Sequence, residues 1–253
     1  MRELLEAVAA GETSPAEAEA ELAGYATGDA GRFDAARVTR SGVPEAILAD
    51  GKTPSEVADL AATSIETTGR AIVTRLDADA LATVRERLRS HDVEDTYHER
   101  ARVLVAHTDE FERPELDATV GVVTAGTSDA EPAGEAAVIA REMGAGVERV
   151  DDVGVASIAR LLDQLSHLRE LDVLIVAAGR EGALPTVVAG LVDTPVIGLP
   201  VSTGYGHAGE GEAALDGMLQ SCTALTAVNV DAGFTAGAQA ALIARTIDAA
   251  RSE

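Results

Sequence analysis

Residues 117–253 alternate between short apolar runs and helical patterns, and that alternation narrows the possible folds more than any other feature. The runs fall at 119–124, 146–150, 172–177, 195–199 and 226–230, several of them built from Val, Leu, Ile and Ala. Helical patterns fall near 135–143, 155–171, 183–191, 212–221 and 237–250. Strands that are apolar along their length are buried on both faces, as in parallel sheets covered by helices. Strictly alternating strands and helices predict an α/β fold with one open parallel sheet, flavodoxin-like in plan, and right-handed crossovers.

The composition agrees with that plan. Hydrophobic residues make up 46% of the 253, but aromatic residues only 2%, with no Trp, so the core is aliphatic. Residues 1–112 predict a smaller α/β domain. Thr53-Pro54-Ser55-Glu56 is a capping box with Pro at the first helical position, starting a helix that runs to about residue 66. A strand at 71–74, a helix at 77–90 capped by Asp77 and a strand at 103–106 follow. The stretch 109–115 is charged, contains Pro114 and lacks apolar periodicity, which sets the expected boundary between domains 1–112 and 117–253.

The formal net charge is −23, and Lys52 is the only lysine among 20 basic residues. The excess carboxylates are spread along the chain. Such a surface repels nucleic acid and anionic membranes. It also stays solvated when salt screens charge, as expected of a halophilic protein in a salty cytoplasm. The single cysteine excludes an internal disulfide. No apolar run reaches the roughly 18 residues that span a bilayer, and the expectation is a cytoplasmic protein without a membrane partner.

In an open parallel sheet, ligands bind beyond the carboxyl ends of the strands, at the switch point. For the strand order 2-1-3-4-5, the loops there are Ala125-Gly126-Thr127-Ser128-Asp129 and Ala178-Gly179-Arg180-Glu181-Gly182. Glycine lets backbone amides approach a ligand closely, and a following helix start favours phosphate. Arg180 offers a bidentate clamp. Each segment is equally a strand–turn–helix connection taken alone, and Asp129 suits either a phosphate site or a helix cap. A third Gly-rich loop contains Ser202, Gly204, Tyr205 and His207. The five histidines (His91, His98, His107, His167 and His207) show no metal-ligand spacing. Mg²⁺ held by phosphate and one or two carboxylates stays open, and no redox cofactor is expected.

Thr124-Ala125-Gly126-Thr127-Ser128-Asp129, Leu184-Pro185 and Pro195-Val196-Ile197-Gly198-Leu199-Pro200 resemble the corresponding segments of the PurE class of aminoimidazole ribonucleotide carboxylases and mutases. That class carries a histidine after strand two and another before the Leu-Pro step, where this chain has Ser157-Ile158-Ala159-Arg160 and Ala183. The chain more closely resembles the LarB family of nickel-pincer cofactor biosynthesis. The stretches that carry the resemblance are 33–47, Gly51-Lys52-Thr53, Gly179-Arg180-Glu181-Gly182-Ala183-Leu184-Pro185, Gly204-Tyr205-Gly206 and Ser221-Cys222. Ser157 and Ala159 depart from that family's usual residues.

This resemblance implies a carboxylase/hydrolase that takes nicotinic acid adenine dinucleotide and CO₂. It would add a carboxyl group at pyridinium C5 and cleave the phosphoanhydride. It also implies a homo-oligomer like the octameric PurE class. Cys222 is the expected covalent nucleophile, with Glu181 and Arg180 as catalytic partners. Cys222 could equally be a small hydrophobe closing a helix. Gly126, Thr127, Ser128, Asp129, Gly179, Gly182, Ser202, Gly204 and Tyr205 are expected to bind substrate. Arg37, Arg40 and Lys52 are expected to reach the site from the amino-terminal domain, against the alternative of a solvated turn before Thr53. A purine-pathway carboxylase and a non-catalytic nucleotide-binding regulator are the competing readings.

Overall fold

The computed structural model describes residues 2–11, 13–15, 18, 22–28, 30–203 and 208–252. The chain divides into two compact units, Met1–Glu112 and Arg113–Glu253.

The first unit contains α1 (Arg2–Ala10), a hairpin of β1 (Ala26–Gly28) and β2 (Gly31–Phe33), and the short helix α2 (Arg37–Ser41). It continues through β3 (Ile47–Leu48), α3 (Pro54–Thr68), β4 (Arg70–Thr74), α4 (Ala78–Leu88), β5 (Val93–His98) and β6 (Val103–Thr108). The sheet order is β3-β4-β6-β5, with β3 and β4 parallel and the other pairs antiparallel. Helix α3 begins at the expected box: Thr53 Oγ1 accepts the Glu56 amide, and Glu56 Oε2 accepts the Thr53 amide at 2.7 Å. Its Val57, Ala58, Ala61 and Ile65 face the sheet and α4 in the unit's core.

Two sequence expectations fail here. Asp77 occupies the position before α4 but does not cap it; its carboxylate pairs with Arg102 at 2.7 Å instead. Strand β5 was not expected, because Val93-Glu94-Asp95-Thr96-Tyr97-His98 has no apolar run. As an edge strand exposed over much of its length it is specified by pairing with β6, and its acidic residues suit an edge.

The second unit alternates without exception. Its elements are β7 (Thr119–Thr124), α5 (Ala130–Glu142), β8 (Gly146–Val150), α6 (Ile158–Leu168), β9 (Val173–Ala178), α7 (Ala183–Ala189), β10 (Val196–Pro200), α8 (Glu212–Leu219), β11 (Leu225–Ala227) and α9 (Gly233–Arg251). All neighbouring strands are parallel, in the order β11-β10-β9-β7-β8, which is the 2-1-3-4-5 flavodoxin-like arrangement. Period-2 alternation along β9 separates the two layers. Val173, Ile175 and Ala177 pack with Ala133, Ala136 and Ala140 of α5 and Ala236, Ala240 and Ala244 of α9. Leu174, Val176 and Ala178 pack with Leu161 of α6, Leu184 of α7 and Met218 of α8.

Several boundaries differ from expectation. Helix α5 starts at Ala130 rather than near 135, since Pro132 in a first turn needs no amide partner. Strand β11 ends at Ala227, three residues early, because the chain turns: the Asn229 carbonyl accepts the Ala232 amide at 3.2 Å and Asp231 has φ +53°. Among the described residues, no helix is long and apolar enough to cross a membrane.

Candidate active site

At the carboxyl ends of β7, β8 and β9 the exit loops enclose a cleft of about 220 Å³. Gly126, Ser128 and Asp129 come from the first loop, and Val155, Ala156 and Arg160 from the second. Gly179, Arg180 and Glu181 come from the third, and Thr203 joins from the loop after β10. The switch point between β7 and β9 is therefore where the cleft forms, as the strand order requires.

Asp129 holds two of these loops together. It is only 2% exposed, and Oδ2 accepts the Gly126 amide at 2.8 Å. Burial pushes its carboxyl above the ordinary value, while hydrogen bonds from the Gly126, Ala125 and Gly179 amides and the Ser128 side chain oppose that rise. The carboxylate makes no cap bond to α5, so its bonds run backward to the loop amides rather than forward into the helix. The loop after β10 is tied down at two points. Thr203 Oγ1 donates to the Ser128 carbonyl at 3.1 Å, and the Ser202 amide donates to Asp231 Oδ1 at 2.9 Å. Gly179 is required beneath this loop, because a Cβ there would fall on the Thr203 carbonyl oxygen.

The remaining expected site residues lie in several places. Thr127 is exposed on the single 3₁₀ turn Thr127–Asp129, outside the lining. Gly182, at φ +64°, starts α7 with its Cα facing the Ala214 backbone of α8. Gly204, Tyr205 and His207 lie outside the described residues. Arg37, Arg40 and Lys52 belong to the first unit. There Arg37 pairs with Glu45 at 2.6 Å, Arg40 grips Asp34 with two nitrogens, and Lys52 Nζ donates to the Leu48 carbonyl at 2.7 Å. The Arg40 guanidinium holds the Asp34 carboxyl below its ordinary value.

Cys222 is exposed and does not line the cleft. It precedes Leu225, the first residue of β11, which is level with Val196 at the start of β10. It therefore sits at the amino ends of the strands, opposite the cleft.

Residues 25–109 match the model of the LarB/PurE-like N-terminal domain, and residues 119–253 match that of AIR carboxylase. The chain belongs to the LarB family. This LarB-family chain is also 38% identical over 220 residues to an uncharacterized protein of Methanocaldococcus jannaschii, covering 85% of this chain and 84% of that one. Its carboxyl-terminal half is PurE-like, which makes it a carboxylase of the PurE/LarB family.

One cleft residue of this LarB-family protein was not anticipated. Arg160 Nε is buried in the cleft wall without a hydrogen-bond partner among the described residues, while Nη1 pairs with Asp152 at 2.7 Å. A signal existed in the sequence. Arg160 stands in the first turn of α6, where the helix dipole disfavours a cation, so a functional reason was needed. Arg180, at φ +49°, is the second guanidinium of the cleft, with Nε 3.9 Å from Glu181 Oε2. Two cations in one small cleft of a chain with net charge −23 favour an anionic ligand.

Proposed function

We propose that this protein carboxylates C5 of the pyridinium ring of nicotinic acid adenine dinucleotide with CO₂. It then cleaves the phosphoanhydride, giving pyridinium-3,5-biscarboxylic acid mononucleotide and AMP. The observation that carries this reading is the switch-point cleft itself. It presents Arg160 and Arg180 to an anion, in a chain whose family is LarB.

A pyridinium C5 is too electron-poor to attack CO₂. Addition of a thiolate at C4 turns the ring into a neutral dihydropyridine, in which C5 is the β-carbon of an enamine. C5 then bonds to CO₂, a base removes the C5 proton, and expulsion of the thiolate restores the pyridinium. The chain needs a thiol, a base and cations for the new carboxylate. In this scheme Cys222, which lies away from the cleft of its own chain, is the thiol supplied by a neighbouring copy in a homo-oligomer; Glu181 is the base or the group that activates water for hydrolysis, and Arg180 and Arg160 hold carboxylate and phosphate. If Mg²⁺ takes part, Glu181 is the exposed cleft carboxylate suited to share it with substrate phosphate. Among the described residues no group of three His, Cys, Asp or Glu side chains forms a metal site.

The match to AIR carboxylase favours a second reading, carboxylation of a purine ribonucleotide. Against it, Ala183 stands in the cleft where the PurE class carries its histidine, and no described lining residue is a histidine. The deciding experiment is incubation with nicotinic acid adenine dinucleotide, bicarbonate and Mg²⁺, followed by mass spectrometry. The biscarboxylated mononucleotide with AMP is expected. Carboxylation of aminoimidazole ribonucleotide in its place would overturn the reading.

A further inference from the structure

We propose, on the reading above that the cleft binds the anionic ligand, that Asp152 is a positioning residue: it holds one edge of the Arg160 guanidinium so that the other edge meets two oxygens of the anion. Asp152 Oδ2 forms an ion pair with Arg160 Nη1 at 2.7 Å. Nη1 is the terminal nitrogen on the Cδ side of a guanidinium. The edge left over carries Nε and Nη2, whose N–H donors lie side by side in one plane. That edge matches the spacing of two oxygens on a carboxylate or phosphoryl group. Its Nε is buried in the cleft wall and has no partner among the described residues. Asp152 itself is outside the lining, so it acts through Arg160 and not on the ligand.

The turn that carries Asp152 is pinned to the end of β7. The Asp152 amide donates to Thr124 Oγ1 at 3.2 Å, the Val153 amide to the Thr124 carbonyl at 3.0 Å and the Gly154 amide to the Ala125 carbonyl at 2.9 Å. The two segments run so close that a Cβ at Gly154 would fall 2.6 Å from the Ala125 carbonyl oxygen. Thr124 is buried, and its hydroxyl donates to Asp151 Oδ1 at 3.0 Å. Asp151 also accepts Arg149 Nη2 at 2.7 Å. Two adjacent carboxylates thus face different partners. Asp151 ties the strand ends together, and Asp152, at φ +60°, meets Arg160. Asp and Asn adopt that left-handed conformation more readily than other residues with a side chain. With side chains 41% and 56% exposed, the Arg160–Asp152 pair contributes little to stability. Its effect is on orientation: arginine has many rotamers, and fixing one before the ligand arrives removes an ordering cost from binding.

A double-mutant cycle on the dissociation constant tests this. Nicotinic acid adenine dinucleotide, without bicarbonate, and inorganic pyrophosphate are titrated separately by calorimetry. Arg160→Lys keeps the charge and loses the fork. Asp152→Asn keeps the shape, suits the left-handed backbone and loses the charge that holds Nη1. In the parent, Arg160→Lys should weaken binding by roughly 5- to 20-fold. In the Asp152→Asn background the same exchange should cost less than about twofold, because an unheld guanidinium no longer presents its fork. Removing a carboxylate near an anion also changes the local field, but it does so equally beside arginine and lysine and cancels from the comparison. An equal cost of Arg160→Lys in both backgrounds would make Asp152 a surface charge or a structural prop and overturn the proposal.

The two probes separate this role from the function proposed above. Coupling seen with pyrophosphate in a protein that does not turn over the dinucleotide would discard that function and leave the positioning role standing. Turnover of the dinucleotide with no coupling for either probe would do the reverse. A parent that binds neither probe would remove the anion site, and the positioning role with it.

Discussion

Thr203 Oγ1 donates to the Ser128 carbonyl oxygen at 3.1 Å, joining the loop after β10 to the loop after β7 at the mouth of the cleft. Both residues line the cleft, so the bond fixes its width rather than supplying chemistry. Thr203→Val keeps the side-chain shape and removes the donor. A solvent-accessible hydrogen bond contributes about 0.5–1.5 kcal/mol, so KM for the dinucleotide should rise by roughly 2- to 10-fold with kcat little changed. Steady-state kinetics would show this; an equal fall in kcat at constant KM would mean that Thr203 acts on the transition state.

Asp129 should give the cleft a pH signature in stability. Burial raises its carboxyl above the ordinary 3.8 in the folded state. A raised folded value favours the protonated folded form, so the stabilisation is fully present below 3.8 and is lost as pH rises through the folded value. Asn at 129 does not titrate. The melting temperature of the parent minus that of Asp129→Asn should therefore fall as pH rises from about 3.5 to about 7. A difference that stays flat, or rises, would show that the loop amides outweigh burial.

Arg160 should be a ligand contact that lysine cannot replace. Its Nε has no partner among the described residues, and the planar guanidinium can engage an anion through Nε while Nη1 keeps Asp152. Loss of a charge-assisted hydrogen bond costs about 1.5–3 kcal/mol, so Arg160→Ala should weaken dinucleotide binding by about 10- to 100-fold. Arg160→Lys should recover only part of that loss, because lysine lacks the fork. Calorimetric titration with nicotinic acid adenine dinucleotide measures both, and an unchanged Kd in Arg160→Ala would remove this residue from the site.

The acidic surface should make the fold salt-dependent. With net charge −23, repulsion between carboxylates opposes the compact state, and the Debye length falls from about 10 Å at 0.1 M salt to about 3 Å at 1 M. The exposed ion pairs weakened at the same time contribute little. The melting temperature should rise on going from dilute buffer to molar KCl. A fall would mean that ion pairs outweigh the net repulsion.

The second unit was readable in the sequence because each strand is a run of aliphatic residues and each helix has its own periodicity. Residues 119–124 and 146–150 match β7 and β8 residue for residue. The β7 and β9 loops were readable for the same reason, since strand order fixes where a switch-point cleft forms. Strand β5 was not, because its exposed polar residues carry no run and only pairing defines it. The position of Cys222 was not readable either. Its neighbours Ser221 and Thr223 bond to each other, a local detail, whereas its distance from the cleft depends on the level of β11 against β10, which no short segment encodes. Arg160 was overlooked because the loop before it lacks the Gly-rich pattern of the others, which left a cation in the first turn of α6 as its one sequence signal.

The two edges of the five-stranded sheet differ in a way that constrains any assembly. Strand β11 is three residues long and ends in a turn, so it offers a neighbouring chain too few free amides and carbonyls to continue the sheet. At the other edge, β8 carries exposed Glu148 and Arg149, whose charges would have to be stripped of water by an added strand. Growth by strand addition is thus disfavoured at both ends. Any contact between copies of this protein would therefore run through helices and loops rather than through a continued sheet.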